Sequence, residues 1–209
     1  MQKAVITGDI VNFTSLGAGD REALVRGSKD FLQKINPEKG SAEFFRGDSF
    51  QLIVSNVVEA INKSIQIRCW FKKGEWSDEK SLLDAKIAIG VGEISYLGDS
   101  VLDSDGEAFH LSGRSFDKME TSMFRIVTPK EEINKQLEII ADLMNLVITD
   151  WTKAQAEVIF MLLENKTQQQ IALELGVVQS AVNNRIRLSK WKEIERTINY
   201  ISSLINGLP

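Results

Sequence analysis

The 209-residue chain predicts an α+β fold: a ferredoxin-like palm in the order β-α-β-β-α-β, followed by an all-α helix-turn-helix unit. Three observations carry this. Short β-branched and aromatic runs alternate with longer segments of helical period through the first part of the chain. A Gly47-Asp48 turn separates two apolar runs, as in a hairpin. After Pro129 strand-like runs cease and capped helix starts take over. The division expected is a palm domain over 1–129, a linker helix over 130–150 and a helix-turn-helix domain over 151–209.

In chain order, residues 3–7 read as a first strand and 21–35 as a helix. Residues 42–45 and 50–54 are the arms of the hairpin, and 57–71 form a second helix. Residues 84–95 alternate as a central strand, and a further helix and strand complete the palm. This order expects helices on one face of an antiparallel sheet. Over 130–147 one helix carries Ile133, Leu137, Ile140, Met144 and Val147 at steps of four, three, four and three. That spacing serves either a coiled-coil seam between two chains or inward packing on the rest of the protein.

The most specific functional pattern is QQQIALELGVVQSAVNNRIR, residues 168–187. Ile171, Ala172 and Leu175 form the inner face of one helix, Gly176 makes the turn, and Val177, Val182 and Ile186 anchor a second. Gln179, Ser180, Asn183, Asn184 and Arg187 are left for the outer face. Amides suit adenine and arginine suits guanine when such a helix lies in the major groove of double-stranded DNA. Thr152 with Gln155 and Thr167 with Gln170 fit capping boxes, so a supporting helix over 152–163 precedes the pair. Val178 stands where a Ser or Thr cap is usual, and Arg185 occupies a position that is often apolar.

Charge agrees in sign. From residue 151 onward there are 7 basic and 5 acidic side chains, whereas the preceding residues hold 18 basic and 24 acidic. A mildly basic helical unit on an acidic body fits nucleic acid, with affinity that needs two copies. The start MQKAVITGDI lacks the basic and apolar stretches of a secretory signal, and no run of about 18 apolar residues could cross a bilayer. A cytoplasmic protein without membrane contacts is expected. Cys69 is the single cysteine and reads as a buried core residue.

Asp9 falls where the first strand gives way to a loop, and Asp48 lies in the hairpin turn. A palm brings these two elements side by side, so the carboxylates converge on one divalent ion. Mg²⁺ needs few protein carboxylates and completes its shell with water and phosphate oxygens.

Here the residues resemble a known family. TGDIVNFTSL is similar to the metal-binding first strand of class III nucleotide cyclases, and FFRGDSFQLIV to their second metal-binding hairpin. IAIGVGEIS resembles their next core strand and DGEAFHLSGRSFDKM the helix after it, so the likeness covers about residues 3–127. It implies a nucleotide cyclase-like palm in which Asp9, Asp48 and the Ile10 backbone carbonyl hold Mg²⁺ or Mn²⁺. It further implies that Asp103 and Arg114 contact a purine nucleotide, as the base-selecting carboxylate and the transition-state arginine. Three departures stand out. His110 replaces the family's ribose-orienting asparagine, Phe44 holds the base-selecting lysine position, and the palm stops near Pro129.

A shortened cyclase-like palm followed by a helix-turn-helix resembles the SatD family of bacterial proteins. The shared features are Gly8-Asp9, the Gly47-Asp48 turn before Phe50, and Asp105-Gly106 leading into Ala108-Phe109-His110. On that resemblance His110 is a family feature, with a nucleotide contact as one role and a single structural hydrogen bond as the other. The expected function is a homodimeric DNA-binding transcriptional regulator with a degenerate cyclase-like sensor domain. The rivals are an active metal-dependent nucleotide cyclase or other nucleotide-processing enzyme, and an interaction protein whose palm only dimerises.

Overall fold

A computed structural model of the chain describes residues 3–74 and 83–207. Among them are five strands and eight α-helices. β1 (Lys3–Val11) is the central strand of a sheet ordered β2-β3-β1-β4-β5. β2 (Ala42–Phe45) and β3 (Ser49–Val54) form the hairpin on one side of it, and β4 (Asp84–Gly92) lies on the other. β5 (Phe124–Val127) runs parallel to β4, which makes the sheet mixed rather than antiparallel. β1 also continues to Val11, four residues past its expected end. Gly8 and Asp9 pair with both β3 and β4, so the backbone ladder overrides the poor strand propensity of a Gly-Asp step.

Side chains alternate across this sheet. Ala4, Ile6 and Ile10 share one face with Leu52, Ile87 and Ile89, under α1 (Ala18–Ile35), α2 (Val57–Lys73) and α4 (Glu131–Thr149). Val5 and Ile53 point the other way and are covered by Val101 and by Ala108 and Phe109 of α3 (Glu107–Asp117). The sequence order placed all helices on one face; α3 occupies the opposite one. The cause is visible in β4, where a Cβ on Gly90 would sit 2.2 Å from the Ala108 carbonyl oxygen. Glycine there lets the helix backbone rest directly on the strand.

The helical face continues without a break into the remaining helices. α5 (Lys153–Leu163) packs on α2, and α8 (Trp191–Asn206) reaches both α2 and α4. Phe31 of α1 stacks on Trp70 of α2 with ring centroids 4.9 Å apart and also meets Phe160 of α5. On α4, Leu137 and Met144 are buried while Ile133, Ile140 and Val147 are partly buried against the same core. The predicted stripe therefore packs inward, where burial of each large aliphatic side chain contributes about 1.5–3 kcal/mol. Cys69 is buried, and burial pushes its thiol well above the ordinary range. No helix among the described residues is long and apolar enough to cross a membrane.

Candidate functional site

α5, α6 (Gln168–Glu174) and α7 (Gln179–Leu188) pack together around Ile159, Ile171, Val182 and Ile186. Local chemistry sets their starts. The Thr152 hydroxyl accepts from the Gln155 amide while the Gln155 side chain accepts from the Thr152 amide, and Thr167 with Gln170 repeats the arrangement. Between α6 and α7 the chain turns through Gly176, whose φ of 63° is costly for any residue with a Cβ.

This packing uses one side of α7 and leaves the other in solvent. Gln179, Ser180, Asn183, Asn184 and Arg187 are all exposed, and the Arg187 guanidinium donates to the Asn184 side-chain oxygen at 2.8 Å. Val178 is the N-cap, offers no side-chain hydrogen bond and is 69% exposed. The α7 amino terminus thus presents unpaired backbone N–H groups beside a methyl surface. Arg185 is half-buried and stands 3.8 Å from Glu157, which answers its place near the apolar side. Lys166 pairs with two acids of this unit, at 2.7 Å from Glu174 and 3.3 Å from Glu164.

The second candidate lies at the end of the sheet where β1 leaves and the hairpin turns. Arg46 and Gly47 both take positive φ, 55° and 92°, and swing Asp48 back toward β1. The Asp48 carbonyl accepts from the Ile10 amide at 3.0 Å, and Asp9 pairs with Ser49 across the strands. Asp9 is half-buried within β1. Burial pushes its carboxyl above the usual aspartate range, and the negative charge of Asp48 pushes it the same way. The Ile10 N–H, the Lys86 charge and the Ser49 hydroxyl pull it down without cancelling the rise. The end of β1 and the hairpin turn that carry the two expected carboxylates are thus adjacent, joined by the Ile10–Asp48 backbone hydrogen bond.

Lys86 is a member of this site that the sequence reading passed over. It faces Asp9 across β1 and β4, donates to the Met119 carbonyl and lies 5.3 Å from the Phe116 ring centroid. Its signal was a lysine at the polar phase of the otherwise apolar run 85–92. Among the described residues no third acidic, histidine or cysteine side chain joins Asp9 and Asp48 as a metal-ligating group. The donor set of two carboxylates still fits Mg²⁺ or Mn²⁺, which take their remaining oxygens from water and phosphate.

The other residues singled out lie elsewhere. Asp103 is exposed at the end of a short 3-10 turn whose Val101 packs on Val5 and Ile53. Val5 is four residues along β1 from Asp9, roughly 13 Å at the rise of an extended strand. His110 is exposed near the α3 amino terminus, with Nε2 3.1 Å from Asp105 Oδ1. Arg114 is exposed farther along α3, without an ion-pair partner among the described residues. Ser112, between them on the inner face, meets the Thr7 hydroxyl at 3.0 Å. Within one chain, Asp103 and His110 are not gathered at the acidic pair.

No protein-family model and no curated protein matches the chain. Among solved structures it is similar to the active GGEEF domain of a diguanylate cyclase from Vibrio cholerae. That likeness has 15% identity and a TM-score of 0.45, and covers 63% of this chain and 85% of the other.

Proposed function

We propose that this chain is a DNA-binding transcriptional regulator that works as a homodimer, with α6 and α7 as a helix-turn-helix and the sheet as a cyclase-like sensor domain. The observation that carries the reading is the outer face of α7. Five residues of base-reading or phosphate-binding type occupy it together, while Val182 and Ile186 supply its packing. The SatD-like order of elements supports the same reading. Two such helices, related by a twofold axis, read half-sites about one helical turn apart.

In the sensor, Asp9 and Asp48 would hold Mg²⁺ or Mn²⁺, with the Ile10 carbonyl as a further oxygen donor. The bound ion would supply positive charge for the phosphates of a purine nucleotide. Lys86 keeps the site from accumulating uncompensated negative charge. Asp103, His110 and Arg114 lie on α3 and its approach, on the side of the sheet away from α4, and are the further candidates for a nucleotide contact.

Titration of the full chain onto sheared genomic DNA at low salt tests the DNA-binding half. The wild type should retain DNA, and Gln179→Ala/Asn183→Ala/Arg187→Ala should release it. A folded wild type that retains none refutes the reading. The adjacency of Asp9 at the end of β1 to the Asp48 turn favours a second reading, an active nucleotide-processing enzyme. Cyclic nucleotide formed from ATP or GTP with Mn²⁺, and lost in Asp9→Asn, would put that reading first.

A further inference from the structure

We propose that the outward face of α4 is the surface on which a second copy of this chain docks, with the two α4 helices antiparallel about a twofold axis near Leu143. The proposal rests on the homodimer reading above and assigns its interface. α4 carries two apolar stripes. Leu137, Ala141, Met144 and Ile148 are buried in the core, yet Ile139, Leu143 and Leu146 on the other side are 62%, 60% and 64% exposed. Their spacing of four and three residues makes a continuous seam along two turns. Single exposed leucines are ordinary on a monomer, but an aligned trio marks an interaction surface.

Charge selects the occupant and its direction. Lys135 flanks the seam toward its amino-terminal end, and Asp150 caps the other end. Antiparallel pairing brings Lys135 of each chain toward Asp150 of the other, and opposes the two helix dipoles favourably. Parallel pairing would set Glu132 against Glu132 and Asp150 against Asp150. Of the other acids on α4, Glu138 is paired within its own chain, 2.6 Å from Arg125, which also stands 4.0 Å from Asp142. Next to the seam, α4 and α8 enclose an open trough of about 550 Å³ bordered by Ile140, Val147, Ile194 and Tyr200. An isologous pair would seat the partner seam's side chains there, since each chain offers both seam and trough.

Light scattering of the full chain at micromolar concentration should give the mass of two chains, and Leu143→Glu/Leu146→Glu should give one with unchanged far-ultraviolet circular dichroism. Cross-linking supplies a readout independent of that variant. Under mild oxidation Leu143→Cys should form a disulfide-linked dimer, while Glu132→Cys should not, and buried Cys69 gives no background. A wild-type dimer that survives Leu143→Glu/Leu146→Glu, or cross-links through Glu132→Cys, overturns this interface and leaves the homodimer reading standing. A wild type of single-chain mass across the micromolar range overturns both.

Discussion

Arg68 and Asp84 form a two-pronged ion pair in the interior, with Nε to Oδ1 at 2.8 Å and Nη2 to Oδ2 at 2.7 Å. The guanidinium also donates to Asn145 at 2.9 Å and Thr149 at 3.0 Å, and Lys72 stands 3.1 Å from the same carboxylate. One charged cluster thereby ties α2, the start of β4 and the end of α4, the helix that leads into the carboxy-terminal helices. All donors of a buried arginine require partners, and here α4 provides two of them.

Removing one partner leaves a buried charge uncompensated. Arg68→Met should therefore cost about 3–5 kcal/mol, measured by urea unfolding. Arg68→Met/Asp84→Leu should recover most of that loss. Equal instability of the single and double variants would show that shape, rather than the unpaired charge, sets the cost.

The same pair predicts acid lability. Burial alone would raise the Asp84 carboxyl, but the Arg68 charge and hydrogen bonds, with Lys72, hold it below its ordinary value of 3.8. A carboxylate lowered in the folded state stabilises fully above its unfolded pKa, and that contribution is lost as pH falls through the folded pKa. Melting temperature should hold down to about pH 4 on this account and fall below it, through the aspartate range. In Asp84→Asn the fall below that pH should be shallower. An unchanged acid limb would remove Asp84 as its source.

Asp9 has the opposite sign. Its carboxyl is raised by burial and by Asp48, so the folded state carries a penalty above the folded pKa that disappears as pH drops below the unfolded one. Asp9→Asn should raise the melting temperature of the metal-free protein at neutral pH. Mg²⁺ or Mn²⁺ should raise that of the wild type in proportion to the logarithm of its concentration, more so with a purine nucleotide, and leave Asp9→Asn unmoved. Identical melting of the wild type with and without metal and nucleotide would reduce the sheet domain to a scaffold.

At the head of α7, Val178 caps nothing. Val178→Ser should add about 0.5–2 kcal/mol by accepting from a free amide of the first turn. Thr167→Ala, which breaks a formed capping box on α6, should cost a similar amount. Thermal unfolding distinguishes the two signs.

The short-range features were the legible ones. Thr152, Thr167 and Gly176 act within three or four residues of themselves, and so mark α5, α6 and the turn before α7 directly. The carboxylate pair was legible through its turn, because Gly47 fixes where the hairpin reverses. What escaped depends on contacts between distant segments. Asp9 and Gly8 look like loop residues, yet flanking strands on both sides hold them in β1. Nothing local to α3 says which face it covers; the hint was the Gly90-Val91-Gly92 run on another element, where small residues admit a helix. On α4 the sequence carries two apolar stripes displaced around the helix, and only the packed core decides which one turns inward. Lys86 acquired a role only once β4 was placed beside Asp9.

Selection of genomic fragments by the full chain, sequenced and aligned, reads out DNA recognition by α7 without assuming an operator. The aligned fragments should show a twofold-related motif with half-sites about one helical turn apart, and Arg187→Ala should lose on the order of 1–3 kcal/mol, concentrated at one base step of each half-site. Recovery of no motif at low salt from folded protein, or an Arg187→Ala variant that selects the same sites with equal affinity, would contradict it.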